Sequence, residues 1–500
     1  MKTIRQKICS FMLCVLLACA ILPAGADAAY EIPGSCQVQT DSGALYTVKT
    51  LDYAYDNNTY LSLRDMAMAL GGTGKAFSVQ ITKNAVALVP GGAYAAVGAE
   101  NTPWQDNKNP NVSLQRNEFK VSGQAAFYYT MIVRLPSGYY DCFMAAADLA
   151  MLLDMGIGAS DGGILQIYTE ASFGVSPAAL EQAGYFCGVN GVLVGDATTG
   201  EIYYRYQADV PYPIASVSKL MTGLLVMDAL HAGQLGLEDM VTVSEAAQRL
   251  SSSSDGVIPL RAGQQASVQD LLWGALLPSS NECAFCLAEA VAGSEENFVG
   301  RMNGKAAELG LSQAFFTNSH GLPYYTYEPI PSNSQNRMSA EDLFRMVSYL
   351  LRVYPQITDI TSQQNATLKS FNREVRNSNP LLYNLPGVTG LKTGTTNKAG
   401  ACLVTSLAAG EGAAAHDLVV IVLGMEDSIE RGRASGLLAK YALNAFYERM
   451  GAGSPGNAGT GNGGGGAPQQ PGGLPVNAEA AVGRILRIAK LLQAQPQPGQ

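Results

Sequence analysis

The stretch Ile214-Ala215-Ser216-Val217-Ser218-Lys219-Leu220-Met221-Thr222-Gly223-Leu224-Leu225-Val226-Met227 follows two prolines, Pro211 and Pro213, and has the periodicity of a buried helix. The prolines end the preceding strand, which puts Ser216 in the first turn of that helix. Residues at i and i+3 share a helix face, so the Lys219 ammonium comes within reach of the Ser216 hydroxyl. The helix N-terminus favours negative charge developing beside Ser216. Lysine is a base only when neutral. Burial together with a second cation, Lys392, is expected to lower its pKa. Taken alone, the tetrad reads more readily as a helix cap.

Two further motifs follow in order, Ser279-Ser280-Asn281 and Lys392-Thr393-Gly394. The first comes after the apolar run Leu271–Leu277 and Pro278, and helical periodicity resumes from Glu282 to Val291, so it occupies a bend between helices. There the Ser279 hydroxyl can relay a proton to a leaving amine, and Asn281 can bond both a substrate backbone and Lys219. The second lies in a strand from Gly390 to Thr395. Gly394 lets a substrate lie close along the strand edge, while Lys392 and Thr393 present donors to a free carboxylate. Backbone N–H groups of Ser216 and Thr395 would complete an oxyanion hole.

Working outward, Cys187–Asp196, a turn at Ala197-Thr198-Thr199-Gly200 and Glu201–Tyr206 read as an antiparallel hairpin. Amphipathic helical stretches then run to about Tyr354. A second strand-rich group contains Gly387–Gly394, Ala401–Leu407 and Leu418–Gly424, and a helix from Ser428 to Glu448 closes it. Strands at both ends with helices between predict an α/β (α+β) unit over 180–450, an antiparallel sheet with an inserted helical lobe. The active site is expected where the lobes meet. Residues 30–172 alternate short apolar runs with turn clusters, and two helical pieces, Leu61–Gly71 and Phe143–Leu153, interrupt them. A small, non-catalytic α+β domain is expected there.

The ends have other purposes. Lys2, Arg5 and Lys7 precede an uncharged run from Ile8 to Leu22 and the small residues Ala24–Ala28, the pattern of a secretory signal peptide over 1–28. Lipid attachment at Cys19 is the alternative. Residues 451–475 are Gly-rich, a flexible linker with a reach of about 25 Å. Residues 476–495 place Val482, Ile485, Leu486, Ala489 and Leu492 on one helical face and Arg484, Arg487 and Lys490 on the other. Such a basic amphipathic helix can contact an anionic membrane surface or dock on its own protein.

The ordered trio resembles the signature of β-lactamases and penicillin-binding proteins. Together with Gly191–Tyr204, Leu277–Glu282, Phe316–Pro323 and Gly387–Thr396, it is similar to the D-alanyl-D-alanine carboxypeptidase family, the low-molecular-mass penicillin-binding proteins, over about Tyr185 to Glu448. That resemblance implies a serine β-lactamase/DD-peptidase-like fold. It also implies removal of terminal D-alanine from peptidoglycan stem peptides through a Ser216 acyl-enzyme, with β-lactams as inhibitors and no cofactor. Ser280 and Glu282 depart from the family's usual Gly or Ala and Asp. His320 invites a triad reading, but Lys219 already supplies the base, so a structural role near the site is expected. Tyr60–Thr73 resembles the copper amine oxidase N-terminal-like domain. Its copper is not carried over, because the three histidines, His231, His320 and His416, all lie outside that domain and no metal site is expected.

Composition narrows the reading further. With 47% hydrophobic residues the chain can bury large cores, and a net charge of -9 points away from nucleic acid. Six of nine cysteines lie beyond the leader, and Cys283 and Cys286 share a helix face as small buried hydrophobes rather than a redox or zinc pair. Export places the protein outside the cytoplasm, at the cell wall or the outer face of the membrane. Two alternatives stay open: a β-lactamase, although no Glu-x-x-Leu-Asn stretch lies between Asn281 and Lys392, and an inert wall-binding or penicillin-sensing protein.

Overall fold

The computed structural model describes residues 31–450, except 54–58, 99, 101–113, 136, 160–163, 170–176, 183–185, 187, 254 and 324–334. The expected leader, Gly-rich linker and basic helix lie outside the described residues.

Ten strands form the N-terminal sheet: β1 (Glu31–Thr40), β2 (Leu45–Tyr53), β3 (Thr59–Ser62), β4 (Phe77–Ile81), β5 (Val86–Pro90), β6 (Gln115–Val121), β7 (Gln124–Arg134), β8 (Tyr140–Ala145), β9 (Gly156–Ala159) and β10 (Leu165–Tyr168). Their order is β4-β5-β6-β7-β8-β3-β2-β1-β10-β9. Period-two alternation sets the faces: in β4, Phe77, Val79 and Ile81 are buried while Gln80 is exposed. The two helices start later than the apolar spacing predicts. Leu61 and Ser62 finish β3, and α1 (Leu63–Ala69) begins where the Ser62 hydroxyl accepts the Asp65 N–H at 3.0 Å. Likewise Phe143 to Ala145 finish β8 before α2 (Ala146–Leu153). Strand and helix share an apolar run in both places, and an apolar run alone does not separate the two states.

The C-terminal sheet consists of β11 (Gly191–Asp196), β12 (Ile202–Tyr206), β13 (Val388–Thr396), β14 (Gly400–Ala409) and β15 (His416–Met425), in the order β12-β11-β15-β14-β13. Every pairing is antiparallel. The hairpin thus pairs with the last strand, and a sheet is built from segments some two hundred residues apart. Helices α3 (Lys219–His231), α4 (Asn281–Ala292) and α5 (Ala340–Val353) belong to the lobe inserted between them, and α6 (Ser428–Arg449) follows β15.

Each face of this sheet has its own core. Leu193, Val404, Val419 and Ile421 pack with Leu220, Leu224, Leu287 and Val347 of the lobe. Val192, Val194, Val420 and Val422 pack with Leu437, Leu438 and Ala442 of α6, in a cluster that also contains Leu149 and Ala150 of α2. All seven residues from Arg433 to Ala439 are buried. Seven residues make about two helical turns, so this middle part of α6 is enclosed on every side. Gly436 permits this, since a Cβ there would sit 3.0 Å from the Met151 sulfur. Arg433 ties the units together, donating to the Tyr60 hydroxyl at 2.7 Å, to Glu430 at 2.8 Å and to Asp148 at 3.3 Å. Lys440 pairs with Asp154 at 3.2 Å, and the Phe127 N–H donates to Asn384 at 3.1 Å.

Candidate active site

Ser216 lies in a single 3-10 turn, Ala215–Ser218, that precedes α3 rather than in the α-helix itself. The turn is strained: Ala215 takes φ 49°, a left-handed conformation uncommon for a residue with a side chain. Two glycines press against it. A Cβ on Gly394 would stand 2.9 Å from the Ser216 nitrogen and 3.0 Å from that of Val217. One on Gly321, at φ 93°, would lie 2.0 Å from the Ala215 carbonyl oxygen. Only a bare backbone fits at either position. The edge strand β13 and the 320–322 segment therefore hold the turn from two sides, with the Ser216 N–H next to the strand.

Lys219 is fully buried. Its Nζ lies 2.9 Å from Ser216 Oγ, 2.7 Å from Asn281 Oδ1 and 2.8 Å from the His320 carbonyl oxygen. As an ammonium it donates to all three. As a neutral amine it keeps two donors for Asn281 and His320 and turns its lone pair to the serine. Burial pushes the Lys219 pKa down to about 7, and the Glu282 carboxylate pulls the other way. Lys392 is likewise held well below the ordinary lysine range, by burial and by the Lys219 and Arg431 charges.

The second motif divides its labour. Ser280 caps α4, accepting the Cys283 N–H at 3.1 Å. Ser279 is half-buried with φ 72°, and its hydroxyl has no hydrogen-bond partner among the described residues. Asn281, the first residue of α4, donates through Nδ2 to the Asp255 carbonyl at 3.0 Å, which turns Oδ1 toward Lys219.

On β13, Lys392 is 1% exposed and donates to the Thr393 carbonyl at 3.0 Å. It is expected to present a donor to a free carboxylate, and the Thr393 bond takes only one of its N–H groups. Thr393 Oγ1 lies 2.6 Å from Ser378 Oγ, and Thr395 is exposed. Arg431, in the first turn of α6, reaches Thr395 Oγ1 at 3.4 Å, is 6% exposed, and has no partner for its Nε among the described residues. Sequence reasoning missed Arg431, and nothing in the α6 pattern singles it out. It also missed how His320 takes part. The ring is buried, and burial and the nearby Lys219 push its pKa down to about 3, so it stays neutral; its backbone carbonyl is what meets Lys219.

Cys283 and Cys286 are both buried and unbridged. Among the described residues, no group of three His, Cys, Asp or Glu side chains could hold a metal ion.

Comparison with known proteins fits this geometry. The family model described as D-alanyl-D-alanine carboxypeptidase matches residues 189–426. The D-alanyl-D-alanine carboxypeptidase DacF of Bacillus subtilis is 32% identical over 252 residues, covering 50% of this chain and 60% of that protein. DacC of Escherichia coli is 32% identical over 258 residues, covering 51% and 61%. The chain thus spans less than two thirds of these relatives' length. Among solved structures, a peptidoglycan synthesis regulatory factor from Streptococcus pneumoniae is 31% identical with a TM-score of 0.47, covering 51% of this chain and 73% of that one.

Proposed function

Because residues 189–426 belong to the D-alanyl-D-alanine carboxypeptidase family, we propose that the protein is a serine-type carboxypeptidase acting on peptidoglycan stem peptides. The observation that carries this reading is a buried Lys219, its pKa down at about 7, with its Nζ 2.9 Å from Ser216 Oγ. Neutral Lys219 takes the Ser216 proton as Oγ attacks the carbonyl carbon of the penultimate D-alanine. The N–H groups of Ser216 and Thr395 receive the oxyanion. Ser279 relays the proton now on Lys219 to the amine of the departing D-alanine as the peptide bond breaks, so that Lys219 is neutral again. Asn281 holds the substrate backbone and Lys219. The substrate's free carboxylate lies toward Thr393 and Thr395, in the field of Lys392 and Arg431. Water then cleaves the Ser216 ester.

β-Lactams, which present a strained amide and a carboxylate in the same relation, acylate Ser216 as inhibitors. The protein works outside the cytoplasm; residues 1–28 direct export, and residues 476–495 contact an anionic membrane surface at the end of the 451–475 tether. The N-terminal sheet unit is non-catalytic.

The test is to label the purified full chain with a fluorescent penicillin, follow loss of the label, and assay D-alanine release from diacetyl-Lys-D-Ala-D-Ala. Slow label loss with D-alanine release is expected, and Ser216→Ala should abolish both. Rapid label loss would make the protein a β-lactamase instead, and neither labelling nor release would make it inert.

A further inference from the structure

Glu282 follows Asn281 on α4, and its carboxylate is completely buried. Oε1 accepts the Val257 N–H at 2.9 Å and also that of Ile258, while Oε2 has no partner among the described residues. A carboxylate removed from water is strongly unfavourable unless paired or bonded, and two backbone donors satisfy only one of its oxygens. Lys219 is the basic group whose ionisation this carboxylate opposes burial to favour.

The loop that Glu282 holds has a second end at the site. Asp255, two residues before Val257, offers the carbonyl that binds Asn281 Nδ2 and so directs Oδ1 onto Lys219. The titratable groups around Lys219 come from three elements: Glu282 and Cys283 from α4, Lys392 from β13 and His320 from the 318–322 segment. His320 is neutral. Glu282 is the one carboxyl group among them, and burial raises the Cys283 thiol well above its ordinary value.

We propose that Glu282 is a positioning residue for acylation, its buried charge stabilising the Lys219 ammonium that forms as Ser216 attacks and its Oε1 fixing the loop that seats Asn281. The inference rests on the Ser216–Lys219 reading above. In the step concerned, the proton leaves Ser216 Oγ for Lys219 Nζ while the Oγ–carbon bond forms, so positive charge appears where no solvent can reach it. A fixed anion at that place lowers the energy of the charged state and needs no reorganisation.

Two variants test this in the full chain. Glu282→Gln keeps an oxygen acceptor for the loop and removes the charge, while Glu282→Asp keeps the charge but withdraws it by one methylene. The first readout is the titration of Lys219 by carbon-13 NMR of lysine labelled at Cε, its resonance assigned by loss in Lys219→Arg. The second is the pH profile of acylation by fluorescent penicillin.

In Glu282→Gln the midpoint should fall by about one unit, with acylation on the alkaline plateau down about tenfold. Glu282→Asp should fall between this variant and the parent. An unmoved midpoint in either variant overturns the proposal, as does a lowered thermal midpoint with an unchanged acylation profile. The NMR midpoint reads Glu282 whether or not the parent protein releases D-alanine, so failure of the carboxypeptidase reading shows separately, in the D-alanine assay.

Discussion

Replacing Gly394 by alanine tests how closely the edge strand must approach the nucleophile. The added Cβ would meet Ile214 O at 2.8 Å, Ser216 N at 2.9 Å and Val217 N at 3.0 Å. All three are backbone atoms, so no side chain can rotate aside. Ordinary contact needs about 3.4 Å or more, so β13 and the 215–218 turn must separate by roughly half an ångström, the tolerance within which catalytic geometry survives. Gly394 does not have a positive φ, so sterics alone carry the effect.

Overpacking of this kind costs about 1–3 kcal/mol of stability. Displacing one oxyanion donor costs about 10²–10³ in rate. The expected result is a folded Gly394→Ala protein, its thermal midpoint lowered by a few degrees and its acylation by fluorescent penicillin at least about a hundredfold slower. Gly300→Ala in the 295–308 helix, where a Cβ meets nothing within 4 Å, is the control and should be neutral or stabilising by under about 1 kcal/mol. Parent-like acylation by Gly394→Ala would refute the reasoning, because the strand would then not be held against Ser216.

Two other outcomes follow from the same structure. With Lys219 lowered to about 7, acylation should fall about tenfold per pH unit below that value and level off above it; a profile flat from about pH 5 to 8 would exclude Lys219 as the base. The stability sign agrees, because a base depressed from 10.5 to about 7 binds fewer protons folded than unfolded, so its contribution rises as pH climbs through that interval. Arg433→Met removes the guanidinium that meets Tyr60, Asp148 and Glu430, and should cost about 3 kcal/mol by thermal denaturation while leaving residual folded protein reactive toward penicillin. No change in the thermal midpoint would show that this link does not bind the two units.

Much of the C-terminal fold was legible because its strands announce themselves locally. Val419-Val420-Ile421-Val422 is a continuous apolar run, as a strand buried on both faces requires, and the turn at Ala197–Gly200 marks the hairpin. The serine–lysine spacing could be read because i,i+3 geometry is local. What stayed hidden depends on distant chain. Leu61 and Phe143 carry helical spacing yet sit in strands, where pairing with neighbours overrides it. The His320 carbonyl has no side-chain signature at all. Arg431 is one arginine among several in an amphipathic pattern, and only the placement of α6 against β13 gives it meaning. Glu282 was visible as a departure from relatives, but its two backbone donors come from a loop some twenty-five residues earlier.

The enclosed helix α6 also bears on the order in which the chain becomes stable. Leu149 and Ala150 of α2 share their core with Leu437 and Leu438, nearly three hundred residues later. A chain emerging from its N-terminus therefore makes α2 long before the helix that packs against it exists. Until residue 449 or so is free, that apolar face must stay bare or be shielded by something else. High sequence separation of this kind slows folding and prolongs exposure to aggregation. The last helix closes the core that the C-terminal sheet shares with α2, so truncation within it should yield an insoluble chain rather than a smaller enzyme.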